Sequence, residues 1–313
     1  MKKLKVYWNN ICLLRKGEEA FINAHIAENP DTEFCVEYFG LGLPKKLRGQ
    51  IAADLERIGE PDADVIVSTE LDIFWDKRLL NGRDFFAPIA GSFDVCPLIK
   101  DAPFTDPAKT LAVCQCLPMP VCVNEGALKA AGLREPTSLK DLCAPEFKGK
   151  TVLGGADTAA GRIVAASINY LYGAAATEAF LSNAAFASIP AAALSAAARG
   201  AYPVCVLPSV LCGRGLKTVF PSDGVPAIPT YAAVKKTAPA AESAKFLDML
   251  FSRPMQEFYS DRGLVISGRA DVPPPSAMYG AAPYKPLYPD WDWLNNRFDA
   301  AGFSARMDRI KPF

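Results

Sequence analysis

The segment Asp157-Thr158-Ala159-Ala160-Gly161-Arg162 offers the most suggestive chemistry in this chain. Its small residues leave backbone N–H groups open where a helix begins, and a helix N-terminus favours an anion. Thr158 adds a hydroxyl and Arg162 a fork of donors. The plainer reading is that Asp157 or Thr158 caps the helix, and capping and binding can coexist. Strings that would mean catalysis or nucleotide chemistry fail. Gly149-Lys150-Thr151 ends like a P-loop, but the glycine needed five residues earlier is Ala144, and Lys150 and Thr151 open a strand where a helix is required. Gly213-Arg214-Gly215 lacks the third glycine of a dinucleotide fingerprint. No Gly-x-Ser-x-Gly elbow occurs. His25, the sole histidine, lies four residues after Phe21 on an inward helix face and reads as a core or boundary residue. A Ser-His triad would have to use it, far from any nucleophile motif. Cys114 and Cys116 share one strand face, and no second pair at zinc-like spacing follows them. The sequence nominates no catalytic residue, no metal ligand and no cofactor.

Composition narrows the function further. The 313 residues hold 34 basic and 34 acidic side chains, so nothing resembles the basic excess of a nucleic-acid binder. The apolar run Ile11–Leu14 ends at Arg15 and Lys16, too short for a secretory signal. No segment approaches the ~20 apolar residues of a membrane span. Nine irregularly spaced cysteines suit reduced, buried thiols. As written, the chain is expected in the cytoplasm, with an extracytoplasmic place if a start further upstream carries a signal.

The elements that must position these groups alternate. Strand Leu4–Trp8 is followed by a helix over 17–28, strand Glu33–Tyr38 and a helix in which Leu43, Leu47, Ile51, Leu55 and Ile58 recur at three- and four-residue steps behind Pro44. Strand 63–68 and a helix over 70–80 complete a first α/β unit. Strands separated by helices of this length imply parallel pairing. Prolines 97, 103, 107, 118 and 120 then surround an extended stretch, as a crossing between lobes would. A second unit holds strands 149–153 and 202–207 with helices over 160–172, 177–186 and 190–199. Residues 225–234 are again extended, and the tail returns to helix, with Ala244, Leu247, Leu250, Phe251 and Phe258 on one face. The expected architecture is two α/β lobes: 1–112 plus 230–313, wrapped by the aromatic stretch Tyr279–Phe298, and 113–229, with hinge crossings near 110–120 and 225–234.

Several strings together resemble one family. Pro136-Thr137-Ser138-Leu139-Lys140-Asp141-Leu142 followed by Pro145-Glu146-Phe147-Lys148-Gly149-Lys150 is similar to the "P-x-S-W-x-D-L … P-E-[FWY]-K-G-K" signature of iron(III)-type bacterial solute-binding proteins of ABC transporters. Val123-Asn124 through Leu133, Asp62–Ser68, Phe220-Pro221-Ser222-Asp223-Gly224 and Ala244–Gln256 resemble its other strings, in order, over residues 4–275. The resemblance implies the type II periplasmic-binding-protein fold and a ligand trapped as two hinged lobes close. It also implies an ABC permease as partner and a monomer that is not an enzyme. The iron pattern is not matched: Pro208-Ser209-Val210 stands where family members have adjacent tyrosines, and Asn9-Asn10-Ile11-Cys12 where they often have a histidine. Glu70 alone resembles a ligand carboxylate, and a ferric ion needs several anionic oxygens. Glu70 also reads as a solvated acid in the first turn of a helix.

Ligands of such folds meet loops at the carboxyl ends of strands and the first turns of helices. Asn9, Asn10, Thr69, Glu70, Ser209, Thr230 and Tyr231 sit at such strand ends, with Asp157, Thr158, Ala159, Gly161 and Arg162 at the helix start. Trp8 or Trp75 would add an apolar wall. Amides, hydroxyls and one arginine suggest a small polar, anionic organic ligand such as a carboxylate, phosphate ester or sugar phosphate. A cytosolic sensor or carrier of the same fold, ferric binding, and an enzyme using cleft carboxylates or Cys116 remain as alternatives.

Overall fold

The computed structural model describes residues 2–9, 11, 13–40, 43, 45–89, 94–263, 265–275 and 284–313. The chain divides into two compact units, Met1–Cys116 with Pro229–Pro275, and Leu117–Ile228 with Ser276–Phe313. Among the described residues no helix is long and apolar enough to cross a membrane.

Unit 1 is built on β1 (Lys2–Asn9), β2 (Thr32–Phe39) and β3 (Val65–Ser68), with β1 central and parallel to both. Val6, Tyr7 and Trp8 are all buried, as expected for a parallel strand covered on both faces. Helix α1 (Arg15–Glu28) crosses from β1 to β2, and α2 (Leu47–Ile58) from β2 to β3. Strands β4 (Ala112–Pro118), β10 (Val225–Val234) and β11 (Ile266–Ser267) extend the sheet in the order β2-β1-β3-β10-β4-β11, with β10 antiparallel to β3.

Three sequence expectations in this unit change. Helix α2 begins at Leu47 behind an extended Lys46, so Leu43 lies outside it; Pro44 falls outside the described residues. The helix expected over 70–80 is only α3 (Leu71–Trp75): Asp76 turns extended, and its carboxylate accepts the Arg78 N–H at 2.9 Å. The single apolar helix of the 240–260 region is α8 (Ala240–Leu250) and α9 (Arg253–Gly263), because Pro254 cannot continue a helix from α8.

The core of unit 1 closes around Phe246 of α8. Trp8 meets its ring edge-on at 6.0 Å, His25 at 6.0 Å, and Phe34 lies 6.3 Å away. Burial lowers the His25 pKa, with Lys245 adding to the effect and Glu28 opposing it. An unfolded histidine, near 6.5, then binds protons more readily than the folded one. Unit 1 is therefore expected to lose stability as pH falls through 6.5. Urea midpoints for wild type and His25→Gln between pH 7.5 and 5.5 check this: the wild type should fall more steeply, and parallel curves would remove His25 as the cause.

Unit 2 carries a five-stranded sheet in the order β7-β6-β8-β5-β9. Its strands are β5 (Val121–Val123), β6 (Thr151–Gly154), β7 (Ala184–Ala187), β8 (Val204–Val206) and β9 (Lys217–Val219). Strand β6 is parallel to β7 and β8, while β5 is antiparallel to β8 and β9. The helices expected over 160–172 and 177–186 are the two helical runs of α6 (Ala159–Asn183), which meet at a kink where Gly173 leaves helical backbone. Gly173 takes φ 79° and ψ −177°, open essentially to glycine alone. Residues 184–187 leave the helix because Thr151–Gly154 offers them a parallel strand partner. Helix α7 (Pro190–Ala198) follows, and the short helices α4 (Pro97–Lys100) and α5 (Glu125–Ala130) stand before β4 and after β5 in the chain.

The strings Pro136–Leu142 and Pro221–Gly224 form one capping knot. Asp141 accepts the N–H groups of Thr137 at 2.8 Å and Ser138 at 3.0 Å, while Ser138 Oγ accepts the Asp141 N–H at 3.2 Å, a reciprocal capping box. Asp223 receives the Leu139 N–H and the Tyr172 hydroxyl at 2.8 and 2.7 Å.

The tail corrects the expected placement of 230–313 in the first lobe. Residues 276–313 belong to unit 2. Helix α6 supplies several partners of residues 284–313. Asp290 accepts the Tyr170 hydroxyl at 2.8 Å, and Trp293 packs edge-on against the Tyr170 ring at 5.5 Å. Arg306 pairs with Glu178, and Asp308 accepts from Arg162. Phe313 donates its N–H to Phe186 O at 3.0 Å and stacks on Tyr202. The tail contributes strand β12 (Pro286–Leu287) and helices α10 (Trp291–Asn296) and α11 (Ala300–Met307). Of the stretch Tyr279–Phe298, residues 279–283 lie outside the described residues.

Candidate functional site

In unit 1 three expected residues meet at the carboxyl ends of adjacent parallel strands. Thr69 donates its hydroxyl to Asn9 Oδ1 at 3.3 Å, and Asn9 Nδ2 donates to Glu70 Oε2 at 3.3 Å. Parallel pairing of β1 with β3 ends both strands at the same level and sets this contact. The second Glu70 oxygen accepts the backbone N–H of Arg48 at 3.3 Å, in the first turn of α2. Ser68 Oγ accepts the Glu70 N–H at 2.8 Å and holds its backbone. Glu70 thus lies at a positive helix end, but that of α2 rather than of the helix it precedes. Arg48 also reaches Asp72 at 3.4 Å. Sequence reasoning missed Arg48 and Ser68. Ser68 adjoins Thr69 and was within reach of a strand-end argument, whereas Arg48 is placed by a crossover that no local pattern marks. Asn10 lies outside the described residues, as does Cys12.

In unit 2 the expected helix start is α6, with Thr158 as its extended N-cap. Thr158 does not cap the helix with its side chain; its hydroxyl donates back to Gly155 O at 2.8 Å. The same carbonyl accepts the N–H of Gly161 at 3.2 Å. An added Cβ at Gly161 would stand 2.4 Å from that oxygen, so the close approach requires glycine. The opening amides at Ala159 and Ala160 have no acceptor within the helix, as at any helix start. Asp157 is exposed beside them. Arg162 is elsewhere: it is 3% exposed and its guanidinium donates to Asp308 in the tail.

The remaining expected residues lie inside the units. Ser209 is fully buried in the 3₁₀ turn Ser209–Leu211. Thr230 accepts from the Gln115 amide. Tyr231 is fully buried, donates its hydroxyl to Phe104 O at 2.7 Å and meets Phe74 edge-on at 5.2 Å. Trp8 and Trp75 are core residues. Cys114 and Cys116 are buried, and burial pushes both thiols up, away from the thiolate a soft metal needs. Among the described residues no group of three His, Cys, Asp or Glu side chains is placed to hold a metal ion.

Residues 60–297 match the model of a family described as "Bacterial extracellular solute-binding protein". No curated protein matches the chain by sequence. Among solved structures, the ferric binding protein from Campylobacter jejuni is similar with a TM-score of 0.74 at 15% identity, over 97% of this chain and 99% of that one. The periplasmic binding protein AfuA from Actinobacillus pleuropneumoniae, with fructose-6-phosphate bound, gives 0.67 at 18%, over 99% and 98%. The Trichodesmium protein in complex with iron and citrate gives 0.69 at 17%, over 98% and 99%. At these identities the likeness shows the fold, that of type II periplasmic binding proteins.

Proposed function

Because the chain belongs to the bacterial extracellular solute-binding proteins, we propose that it captures a small organic anion, holds the anionic group at the first turn of α6, and delivers it as a monomer to an ABC-type permease outside the cytoplasm. One observation carries the anionic reading. Thr158 turns its hydroxyl back to Gly155 O, so no side chain of the N-cap residue covers the opening amides of the helical run that extends to the kink at Gly173. Amides and the helix dipole there favour negative charge. In unit 1, Glu70 already lies at the α2 N-terminus. That cluster therefore favours hydrogen-bond donors, such as ligand hydroxyls, over a second anion. The relatives with fructose-6-phosphate and with iron and citrate support a hydroxylated phosphate or carboxylate as the class. Ferric ion fits less well. The Tyr231 phenol is bonded in the core and Ser209 is buried, which leaves one carboxylate among amides and hydroxyls for a hard cation.

Thermal-shift measurements with sugar phosphates, citrate, inorganic phosphate, neutral sugars, amino acids and ferric ion test the reading. A ligand at 100 times its dissociation constant adds about 2.7 kcal/mol, which should raise the unfolding temperature by roughly 5 °C or more. Gly161→Ala, whose methyl pushes on Gly155 O, is expected to weaken an anionic ligand at least tenfold. Stabilisation by neutral sugars or amino acids alone would remove the anion from the reading. A ferric response without an anion would replace it with metal binding.

A further inference from the structure

Three thiols meet in unit 2. Cys122, in the middle of β5, stands directly opposite Cys205 on β8 and Thr218 on β9. Cys212 follows the turn Ser209–Leu211 and brings its Sγ to 3.3 Å from Cys122 Sγ. That is inside the usual contact of two sulfur atoms, and a shortening of about 1.2 Å would make a covalent bond. Cys122 and Cys205 are fully buried, while Cys212 keeps 8% exposure and is the point of entry. All three are free thiols. We propose that Cys122 and Cys212 are a poised pair which small-molecule disulfides convert to an intramolecular disulfide, fastening the turn after β8 onto β5.

The step balances by thiol–disulfide exchange. Cys212 gives its proton to the Cys122 thiolate across their 3.3 Å contact and attacks one sulfur of the external disulfide; the small thiolate released takes that proton, and a mixed disulfide is left at Cys212. Cys122 then attacks Cys212 Sγ, breaks the mixed bond and releases the second small thiol. Two electrons pass from the protein thiols to the external disulfide, and their two protons leave on the released thiols. The resolving step depends on thiolate character at Cys122. Hydrogen bonds from the Cys205 thiol, and then from Cys212, favour the charged form at Cys122, while the same bonds hold Cys205 and Cys212 protonated. Cys205 is thus a positioning donor, and Cys212 the bonding partner. Nothing in this inference rests on the identity of the ligand.

The experiment is intact-mass and peptide mapping of the native protein after exposure to oxidised glutathione and rapid alkylation. The expected result is a loss of two hydrogens, with one peptide pair joined through Cys122 and Cys212 and the original mass restored by excess dithiol. Cys205→Ser should keep that bond, and Cys212→Ser should abolish it. The half-buried Cys35 and Cys143 should take up glutathione or alkylating agent without pairing. A native protein that stays fully reduced at Cys122, or a Cys122–Cys205 bond formed in preference, would overturn the proposal. So would a cross-link that appears only in denaturant.

Discussion

Phe246→Ala should destabilise unit 1 by about 3–5 kcal/mol, the range for removing a buried aromatic ring. Phe246 is fully buried on α8, and its ring is the common neighbour of Trp8 on β1, His25 on α1 and Phe34 on β2. Truncation would leave a void where a helix from late in the chain closes over the first two strands and their crossover. The void would not be wholly apolar. Trp8 Nε1, His25 Nε2 and Ser243 Oγ are buried without a hydrogen-bond partner, so a water admitted by the mutation would find polar neighbours. The cost is therefore expected toward the lower end of that range, and Phe246→Leu should cost well under half as much. Hydrogen exchange followed along β1 and α1, beside urea unfolding, measures it; a loss below about 1 kcal/mol would show that Phe246 does not organise this core.

Asp308→Ala is expected to cost more than Arg162→Met, although Arg162 is the larger and more buried side chain. Arg162 is 3% exposed while the Asp308 side chain is 47% exposed. Removing Asp308 takes a bonded carboxylate from a buried guanidinium, a change of about 2 kcal/mol, below the range of fully buried pairs because solvent screens the Asp308 side. Methionine at 162 removes the buried charge itself and fills much of its volume, so the loss should be about 1 kcal/mol. Both variants loosen the contact between the tail and α6, which limited proteolysis within 284–313 would report as faster cleavage. Equal losses in urea unfolding would mean that the guanidinium is compensated without Asp308.

The strand–helix alternation of residues 2–68 was legible because β-branched runs and three- and four-residue spacing coincide there with real burial. The kink at Gly173 falls in the gap between the helices read over 160–172 and 177–186. The end of the second helix was not legible: alanine-rich sequence reads on as helix to 186, and only the parallel partner Thr151–Gly154 turns residues 184–187 into a strand. That Asn9, Thr69 and Glu70 come to one level was legible because strand ends can be located from strand patterns. Tyr231 and Ser209 were drawn in by the same rule, yet their hydroxyls lie inside unit 1 and unit 2, respectively, because being near a strand end does not fix which way a side chain turns. The strings most useful for recognition, Pro136–Leu142 and Pro221–Gly224, bind one another: Asp223 accepts the Leu139 N–H, and the Ser222 N–H donates to Thr137 O. They mark the scaffold, and for that reason they could reveal the fold while leaving the ligand unspecified. Arg162 shows the converse: its partner lies 146 residues away, a separation no spacing rule reaches.

Unit 2 is finished by a segment that leaves the ribosome well after the strands of its sheet. Its sheet is complete in sequence by Val219, but Phe186 O receives its bond from Phe313, and Arg162 finds its carboxylate at Asp308. A chain still being synthesised can assemble much of unit 1 while the long helix of unit 2 lacks the segment that covers it. Domains form as their residues emerge, so this order makes the second half a late folder. A nascent chain would keep one half loose until residues 284–313 have emerged, the interval in which a secretion channel or a chaperone could still engage it.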